Sequence, residues 1–475
     1  MSALHDLSAA EQRRALRTRE VSSRELTSHY LERIERLAGP LGAFVTVVPE
    51  SALAEADRAD GLLDAGEGGP LTGLPLGVKD LHATAGIRTT AGSPALADVV
   101  PPRDSWTVGL LRSAGAVLVG KTSTSELGST CYTEDYVTGH AAVTPYDTSR
   151  YSSGSSGGAA TAVSAGLLPF AHGSDSAGSI RTPAATCNLV GVKPSRGLVS
   201  IAPASTFMAM GTEGPLARTV EDAAMLLEAM ARPWAGDLYG WEAEESLTAS
   251  LSRPPERPLV IGMWTDTGLD GVDEGQELTA AIRRTGDVLR AAGHEVREIG
   301  IPARLDPAVV DALRTWLTCA VATSAGMTAP EERWVGYTEL TRFLMQRAQA
   351  LSAADLMVAQ ARLAGYASAF LAAFDEMDVA LTPVTAAPPV RIGHFLAQGM
   401  DAVLDRMLDW SCPTPWANLT GQPAIALPAG FTTTGLPLSA QIVGRPRSDV
   451  LLLRLAAQIE AAQEWHLVHP AAWEE

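Results

Sequence analysis

The stretch Tyr151–Arg181, YSSGSSGGAATAVSAGLLPFAHGSDSAGSIR, decides how the rest of the chain is interpreted. It begins with a serine- and glycine-rich cluster, passes through small and apolar residues of helical character, and ends with a second such cluster. A solvated linker would not carry so apolar a segment, and a core element would not carry so many hydroxyl groups. Glycines and hydroxyls at both ends favour a buried site where backbone N–H groups and serine side chains converge on a ligand. The stretch therefore indicates nucleophilic catalysis.

A lysine far upstream is a candidate partner for these serines. Leu76–Val78 has the apolar pattern of a strand, which would deliver Lys79 at its end in an apolar setting. Lysine is rarely buried unless its charge is paired or removed. Two interpretations follow: Lys79 and Asp80 form a surface turn, or Lys79 is desolvated, has a lowered pKa and acts as a base.

Composition limits the class of protein. The chain has 475 residues, of which 46% are hydrophobic and 19% charged, so it can bury a large core. No apolar run reaches about 18 residues, and the first residues lack a signal pattern, so we expect neither a membrane span nor export. The net charge of −18 argues against nucleic acid as a partner and fits an enzyme for a neutral or cationic small molecule.

The cysteines and histidines indicate reduced thiols and no metal. The four cysteines, Cys131, Cys187, Cys319 and Cys412, are far apart and form no C-x-x-C motif. So few cysteines in so long a chain are typical of free thiols in a cytoplasmic protein. The nine histidines show no H-E-x-x-H motif or paired spacing, so we expect no metal centre.

The pattern of elements predicts an α/β fold in one large domain, residues 1–475. Two capping boxes, Ser8–Glu11 and Ser22–Glu25, begin a helical segment that covers residues 1–65. This segment is expected to cover the outside of the domain, or alternatively to form the contact of a homodimer. Residues 305–375 are rich in helical patterns and residues 386–411 resemble a long loop, so 305–410 are expected to form a layer over the active face. Strands are predicted at Ala116–Gly120, Pro258–Trp264, Val296–Ile299, Asp378–Pro383, Pro423–Pro428 and Leu438–Gly444.

Two familiar motifs match only formally. Gly115–Thr122 fits the G-x-x-x-x-G-K-[ST] phosphate loop, but its four intervening residues form a predicted strand instead of a loop. Gly154–Gly158 fits the G-x-S-x-G nucleophile elbow, but turn-forming residues precede it where the elbow needs a hydrophobic strand. A Ser-His-Asp hydrolase is therefore only the second choice for the chemistry of this stretch.

The chain resembles the amidase signature family over about residues 20–465. The resemblance is strongest at Gly73-Leu-Pro-Leu-Gly-Val-Lys79-Asp80, at Gly154-Ser-Ser-Gly-Gly158 and at Gly173-Ser-Asp-Ser-Ala-Gly-Ser-Ile-Arg-Thr-Pro183. It implies a large, mixed and twisted β-sheet with helices on both faces, with the signature core at residues 70–200. It also implies an amidase that hydrolyses a carboxamide or related acyl–nitrogen bond of a small molecule without a cofactor.

The resemblance assigns three catalytic residues. Ser179 corresponds to the nucleophile, Ser155 to a bridging serine that follows a cis peptide bond, and Lys79 to the base. These roles agree with the chemistry, since serine needs a base to become a nucleophile and lysine is a base only when it is neutral. Ser155 would carry the proton from Ser179 to Lys79 and return it to the leaving amine.

The same resemblance places an oxyanion hole in the turn before the nucleophile, formed by the backbone N–H groups of Ser176, Ala177, Gly178 and Ser179. Ala177 departs from the family, where glycine is usual, and its Cβ limits how closely an acyl oxygen approaches. Asp175 and Arg181 flank this turn, and we expect them to form an ion pair that holds it.

Substrate-binding residues and partners are implied less specifically. By similarity Ser129, Thr130, Cys131 and Tyr132 border the substrate pocket, and Cys319 and Trp316 of the helical layer are further candidates. Cys131 is expected to be a wall residue, because no base lies near it in the sequence. An alternative within the family is the glutaminase subunit of a tRNA-dependent amidotransferase, against which the strongly acidic charge and the Ser176-Ala177 variation stand.

Overall fold

The computed structural model describes residues 3–202, 210–272 and 275–475. Its strands are β1 Phe44–Val47, β2 Pro75–Lys79, β3 Val117–Thr122, β4 Glu134–Asp135, β5 His140–Ala141, β6 Phe170–Asp175, β7 Val190–Lys193, β8 Thr212–Ala217, β9 Val260–Met263, β10 Glu295–Glu298, β11 Val379–Pro383, β12 Ala424–Phe431 and β13 Pro437–Gly444. Its α-helices are α1 Ala9–Thr18, α2 Ser23–Leu41, α3 Pro49–Asp64, α4 Trp106–Ser113, α5 Gly157–Ser164, α6 Arg181–Thr186, α7 Val220–Met230, α8 Leu247–Ser250, α9 Gln276–Ala291, α10 Pro307–Thr328, α11 Glu339–Ala348, α12 Ala353–Ala373, α13 Val403–Ser411, α14 Pro415–Thr420 and α15 Asp449–Gln463.

Eleven of the described strands form one mixed sheet in the order β1-β3-β2-β6-β8-β7-β12-β13-β11-β9-β10. β2 is parallel to both of its neighbours, β3 and β6, whereas β6 is antiparallel to β8. This arrangement confirms the mixed sheet expected from the resemblance. Lys79 ends β2, and the stretch Gly173–Pro183 begins on the neighbouring strand β6, so two of the three motifs lie on adjacent strands.

Successive residues of the strands enter different cores, so both faces of the sheet are covered. Phe170 of β6 packs in a cluster with helical residues of α7 and α15, such as Leu226 and Leu453. The next residue, Ala171, packs in a second cluster with residues of α5 and α6. Such strands are apolar on both faces, which explains why they appear in the sequence as continuous apolar runs.

The N-terminal helices begin where the sequence predicts. Ser8 and Ser22 both form complete capping boxes, with Glu11 and Glu25 respectively. The predicted apolar face of α2 is buried, as shown by Leu26, Tyr30, Ile34 and Leu37. These helices cover part of the outside of the domain.

The structure corrects the prediction for residues 386–411, which are not a continuous loop. Their last nine residues form α13, which buries Val403, Leu404, Met407 and Trp410. Prolines and glycines before this helix hid its short apolar periodicity in the sequence. The structure also contains β8, an unpredicted strand whose Gly214 and Pro215 weaken the usual strand pattern.

One described helix, α12, is long and apolar enough to cross a membrane by length and composition, a test that core helices also pass. Its Leu363 and Phe370 are buried in a cluster that includes Leu313 and Trp316 of α10. It therefore belongs to the helical layer over the sheet.

Candidate active site

Lys79 is the last residue of β2, and its side chain is completely buried. Its Nζ lies 2.7 Å from Ser155 Oγ, 3.0 Å from Ser174 Oγ and 3.3 Å from the Ser174 carbonyl oxygen. The surface-turn interpretation of Lys79 is thus wrong, and its side chain is desolvated as the other interpretation requires. Its role as a base stays a prediction. Asp80, the next residue, lies instead beside Lys121, with 3.8 Å between Oδ1 and Nζ.

Burial lowers the pKa of Lys79 from 10.5 to about 7, although the nearby charges of Asp175 and Glu213 oppose this shift. Near neutral pH a large fraction of the amine is therefore unprotonated. A neutral amine has two N–H donors and one lone pair. Ser174 offers two acceptor oxygens, which leaves the lone pair for the hydroxyl proton of Ser155.

Ser155 follows a cis peptide bond, Gly154–Ser155. Gly154 packs directly on the backbone of Tyr132, where an added Cβ would lie 2.7 Å from the Tyr132 carbonyl carbon. Only glycine fits this position. The contact fixes the segment that carries Ser155 against the loop that contains Cys131 and Tyr132.

Ser179 lies in the turn that follows β6, and its carbonyl oxygen accepts a hydrogen bond from the N–H of Ser156 at 3.3 Å. The two serine clusters of Tyr151–Arg181 are therefore in contact. Ser155 and Ser179 also line the same cavity.

The helix between the clusters, α5, is completely buried because it consists of small residues. At Gly158 an added Cβ would lie 2.4 Å from the Ser123 backbone nitrogen.

Asp175 organises the turn around the nucleophile candidate. Its carboxylate accepts the N–H of Gly178 at 2.8 Å and that of Ile180 at 3.2 Å. It also forms an ion pair with Arg181, in which Nε and Oδ2 are 3.0 Å apart and both side chains are fully buried. Burial alone would raise the pKa of Asp175, but the Arg181 guanidinium holds it well below its usual range. The predicted loop-holding ion pair is confirmed.

The turn differs from the predicted oxyanion hole at one donor, because the N–H of Gly178 is already directed to Asp175. Ser176, Ala177 and Ser179 line the cavity together with Gly178. Gly178 has a φ of +126°, and an added Cβ would lie 2.3 Å from Thr414 Oγ1. Thr414 Oγ1 also donates to the carbonyl oxygen of Ala177 at 2.6 Å, which fixes the orientation of this peptide group. The sequence could not show that the Asp175 carboxylate accepts a hydrogen bond from one of the four predicted N–H donors.

The cavity has a volume of about 150 Å³ and mostly apolar walls. Of the predicted substrate-binding residues, Ser129, Thr130 and Cys131 line it. Apolar side chains from α10, α13 and other segments also line it: Leu81, Leu127, Met210, Leu313, Trp316, Leu317, Leu404, Met407, Leu408 and Pro415.

Two predicted pocket residues lie elsewhere. Tyr132 packs against Phe395, with ring centroids 4.9 Å apart, and lies outside the described cavity wall. Cys319 of α10 does not line the cavity, although it lies three residues after Trp316, which does. Residues three apart are neighbours on one face of a helix, so sequence spacing alone could not have separated Cys319 from Trp316.

All four cysteines are free thiols, as expected. Burial raises the pKa of the Cys131 thiol to about 12, so this wall residue is not a thiolate near neutral pH.

A second titratable cluster lies behind Lys79. Glu213 accepts His172 Nε2–H at 2.7 Å and His82 Nδ1–H at 3.2 Å, and the ligand atoms of the three residues lie within 4.8 Å of one another. These residue types are able to bind a metal ion. The other ring nitrogens, His82 Nε2 and His172 Nδ1, are buried without a hydrogen-bond partner, whereas metal-ligating histidines usually donate their second N–H. The three residues thus form a hydrogen-bonded group, the His82–Glu213–His172 cluster.

The chain is similar to known proteins over nearly its whole length. The amidase family matches residues 25–453. A Mycobacterium tuberculosis protein named "Putative amidase AmiA2" is 38% identical over 466 residues, which cover 96% of this chain and 93% of the relative. A glutamyl-tRNA(Gln) amidotransferase subunit from Thioalkalivibrio sulfidiphilus is 35% identical over 497 residues, which cover 99% of this chain and 100% of that relative.

Solved structures show the same fold. A 6-aminohexanoate cyclic dimer hydrolase in complex with its substrate superposes with a TM-score of 0.88 at 27% identity, covering 99% of both chains. A bacterial aryl acylamidase superposes with a TM-score of 0.88 at 26% identity, covering 98% of both chains. The fold and the family match define an amidohydrolase that acts on carbon–nitrogen bonds. The chain belongs to the amidase family, that of the amidase signature enzymes.

Proposed function

We propose that Ser179, Ser155 and Lys79 are the catalytic residues of this amidohydrolase and that it acts on small amides through an acyl-serine intermediate. The observation that carries the proposal is the 2.7 Å contact between the buried Lys79 Nζ and Ser155 Oγ beside Ser179 in one cavity. Neutral Lys79 takes the hydroxyl proton of Ser155 as Ser155 takes that of Ser179. Ser179 Oγ then bonds to the carbonyl carbon, and the carbonyl electrons move onto its oxygen.

Collapse of this intermediate breaks the carbon–nitrogen bond. The proton held by Lys79 returns through Ser155 to the leaving nitrogen, so the amine or ammonia departs neutral and Ser179 remains acylated. A water molecule then attacks the acyl carbon and gives its proton to the same pair of residues. The acid leaves and Ser179 recovers its proton, so the second half repeats the first with water in place of the serine.

We propose the backbone N–H groups of Ser176, Ala177 and Ser179 as the oxyanion donors. The N–H of Gly178 instead donates to the Asp175 carboxylate and stabilises the turn. Each donor that is lost from such a hole typically costs about 10²–10³ in rate. The Cβ of Ala177 narrows the approach to these donors, which favours planar or slender acyl groups.

The cavity walls support an uncharged substrate with an apolar acyl group. Arg314 is the one ionised side chain among the described lining residues, and it pairs with Asp311 at 2.7 Å and Asp405 at 2.5 Å. An apolar cavity of about 150 Å³ in another protein accommodates benzene. We therefore propose a single aromatic ring or a short alkyl chain as the acyl group, which is compatible with the aryl acylamidase and cyclic dimer hydrolase among its structural relatives.

Glutamine is the alternative substrate, because the chain is also similar to an amidotransferase subunit. Binding free glutamine requires partners for an ammonium and a carboxylate group. The described cavity wall offers no acidic side chain for the ammonium, and its arginine is already paired. The apolar amide therefore fits the described wall better.

A panel of amides assayed with the purified protein tests this choice. The panel contains benzamide, hexanamide, 4-nitroacetanilide, the 6-aminohexanoate cyclic dimer and glutamine. We expect kcat/KM for at least one apolar amide to exceed that for glutamine by about tenfold or more. Preference for glutamine would support the amidotransferase alternative instead.

We further propose that the enzyme works in the cytoplasm, which its four free thiols support. The homodimer suggested by the N-terminal helices remains a prediction. Cell fractionation tests the first proposal, and light scattering coupled to size exclusion tests the second.

A further inference from the structure

The buried carboxylate of Glu213 has no role in the steps above. Glu213 lies on β8 directly opposite Ser174 of β6 in the antiparallel register. Directly opposite residues of antiparallel strands project to the same face, with Cβ atoms about 5 Å apart. Since Lys79 Nζ contacts both oxygen atoms of Ser174, Glu213 is separated from the lysine amine by a single serine.

The two histidines keep this carboxylate ionised. Burial by itself raises the pKa of Glu213, but His82 and His172 hold it below its usual range. Burial lowers the pKa of His172 to about 4, so its ring is neutral near pH 7 and donates Nε2–H to Glu213. The His82–Glu213–His172 cluster therefore places an ionised carboxylate, that of Glu213, near the lysine that is proposed as the base.

The other charges near Lys79 are already committed to partners. Asp175 also faces the amine, but it forms the buried ion pair with Arg181, has Lys193 as a further cationic neighbour and accepts Asn418 Nδ2 at 2.9 Å. Asp80 lies beside Lys121. Glu213, in contrast, pairs with no lysine or arginine among the described residues. Its partners are the rings of His82 and His172, and the buried His172 ring is neutral near pH 7.

From this geometry we propose that Glu213 is a positioning residue whose negative charge, held by His82 and His172, acts together with that of Asp175 to favour the protonated form of Lys79. The inference rests on the proposed role of Lys79 as the base. A buried negative charge near an amine favours the ammonium form and thus opposes the effect of burial. The cluster keeps the lysine basic enough to take a proton from serine while leaving it partly neutral near pH 7.

The composition of the chain allows a direct test, because Lys79, Lys121 and Lys193 are its only lysines. Protein labelled with [¹³Cε]lysine gives three sets of side-chain signals, and the Lys79 signal is assigned by its loss in Lys79→Met. We expect the midpoint of its titration to move down by about one pH unit in Glu213→Gln, because the opposing charge is gone. Glu213→Asp retains the charge and should restore a midpoint near that of the wild type.

Reactivity gives an independent measurement. The rate of Ser179 phosphonylation by a fluorophosphonate, measured against pH, should follow the neutral fraction of Lys79. At pH 6 we expect Glu213→Gln to react about fivefold faster than the wild type, since a midpoint one unit lower raises the neutral fraction by that factor. Glu460→Gln is a control, because it removes a half-buried carboxyl elsewhere in the molecule, whose neighbours include Val220, Glu221 and Asp222 of α7. The pH profile of phosphonylation in Glu460→Gln should match that of the wild type.

The outcomes separate this inference from the proposed function. A folded Glu213→Gln protein with an unchanged Lys79 midpoint would overturn the inference alone. If Lys79→Met reacted as fast as the wild type at all pH values, the assignment of the base would fall. Should Glu213→Gln not fold, His82→Arg takes its place: a permanent cation beside the carboxylate should lower the Lys79 midpoint, and an unchanged midpoint would again overturn the inference.

Discussion

The position of one proton on Lys79 controls the proposed chemistry at the scale of single residues. The amine has hydrogen-bond partners that suit its neutral form, and burial lowers its pKa to about 7. Ser155 contacts it directly, and Ser179 lines the same cavity. In the proposed mechanism Lys79 activates Ser179 without touching it, because Ser155 carries the proton between them.

Replacing Lys79 by methionine tests this role with little change in side-chain volume. We expect kcat/KM for a reactive amide to fall about 10³-fold, because the general base is lost. In the wild type, kcat/KM should fall as the pH drops below about 7, since the lysine becomes protonated there. In Lys79→Met the fall of kcat/KM below about pH 7 should vanish. If the variant kept this fall, a group other than Lys79 would be responsible for it.

The Asp175–Arg181 ion pair is the other prediction at this scale. Asp175→Asn leaves the fully buried Arg181 without its counter-charge, so we expect a loss of about 3–5 kcal/mol in the free energy of unfolding. Urea unfolding measures this loss. Asp270→Asn is the matched control, because its carboxylate pairs with Arg304 on the surface and should cost less than about 1 kcal/mol. Equal effects of the two substitutions would contradict the structural role of the buried pair.

At the scale of elements, α10 contributes apolar side chains to the cavity wall. Leu313, Trp316 and Leu317 line the cavity, whereas Cys319, three residues after Trp316, does not. These side chains of α10 therefore line the same cavity as the turn around Ser179, and they can be substituted without changing that turn.

Trp316→Ala should widen the cavity and change acyl selectivity. We expect kcat/KM for a two-ring amide such as 2-naphthamide to rise about tenfold relative to that for benzamide. Cys319→Ala, on the same helix, should leave this ratio unchanged. Kinetics with both amides measure the ratio, and a shift of similar size in both variants would show that the helix acts through stability instead of shape.

The sequence predicted the elements that carry strong local signals. The capping boxes of α1 and α2, the strand before Lys79 and the Ser/Gly clusters all appear where their residues indicate. It could not reveal β8, whose glycine and proline obscure its pattern, and so it missed Glu213. The assignment of Gly178 N–H to Asp175 also depends on the folded turn, because no sequence pattern specifies which acceptor an amide meets.

At the scale of the whole molecule, neighbouring strands of one sheet carry several residues of the site. Lys79, Ser174 and Glu213 come from β2, β6 and β8, which are neighbours in the order of the sheet. Residues 70–200 supply the serines and the lysine, and residues 305–410 supply much of the apolar wall. Both parts pack on the same strands, so we propose that residues 1–475 behave as a single domain.

Calorimetry tests this unity. We expect a single endotherm whose calorimetric and van't Hoff enthalpies agree, because the helical layer and the signature core share one sheet. Binding of a covalent inhibitor at Ser179 should move the whole endotherm to higher temperature. Two separated transitions, of which the inhibitor moves one, would show that the layer of residues 305–410 unfolds independently.

The most direct test of the central claim is the site at which a fluorophosphonate bonds to the protein. Intact mass and peptide mapping should show one adduct per chain, on Ser179, formed faster as the pH rises through about 7. Ser179→Ala should form no adduct, although Ser155 and Cys131 remain in the cavity. An adduct on another residue of the wild type, or undiminished labelling of Ser179→Ala, would contradict the assignment of Ser179 as the nucleophile.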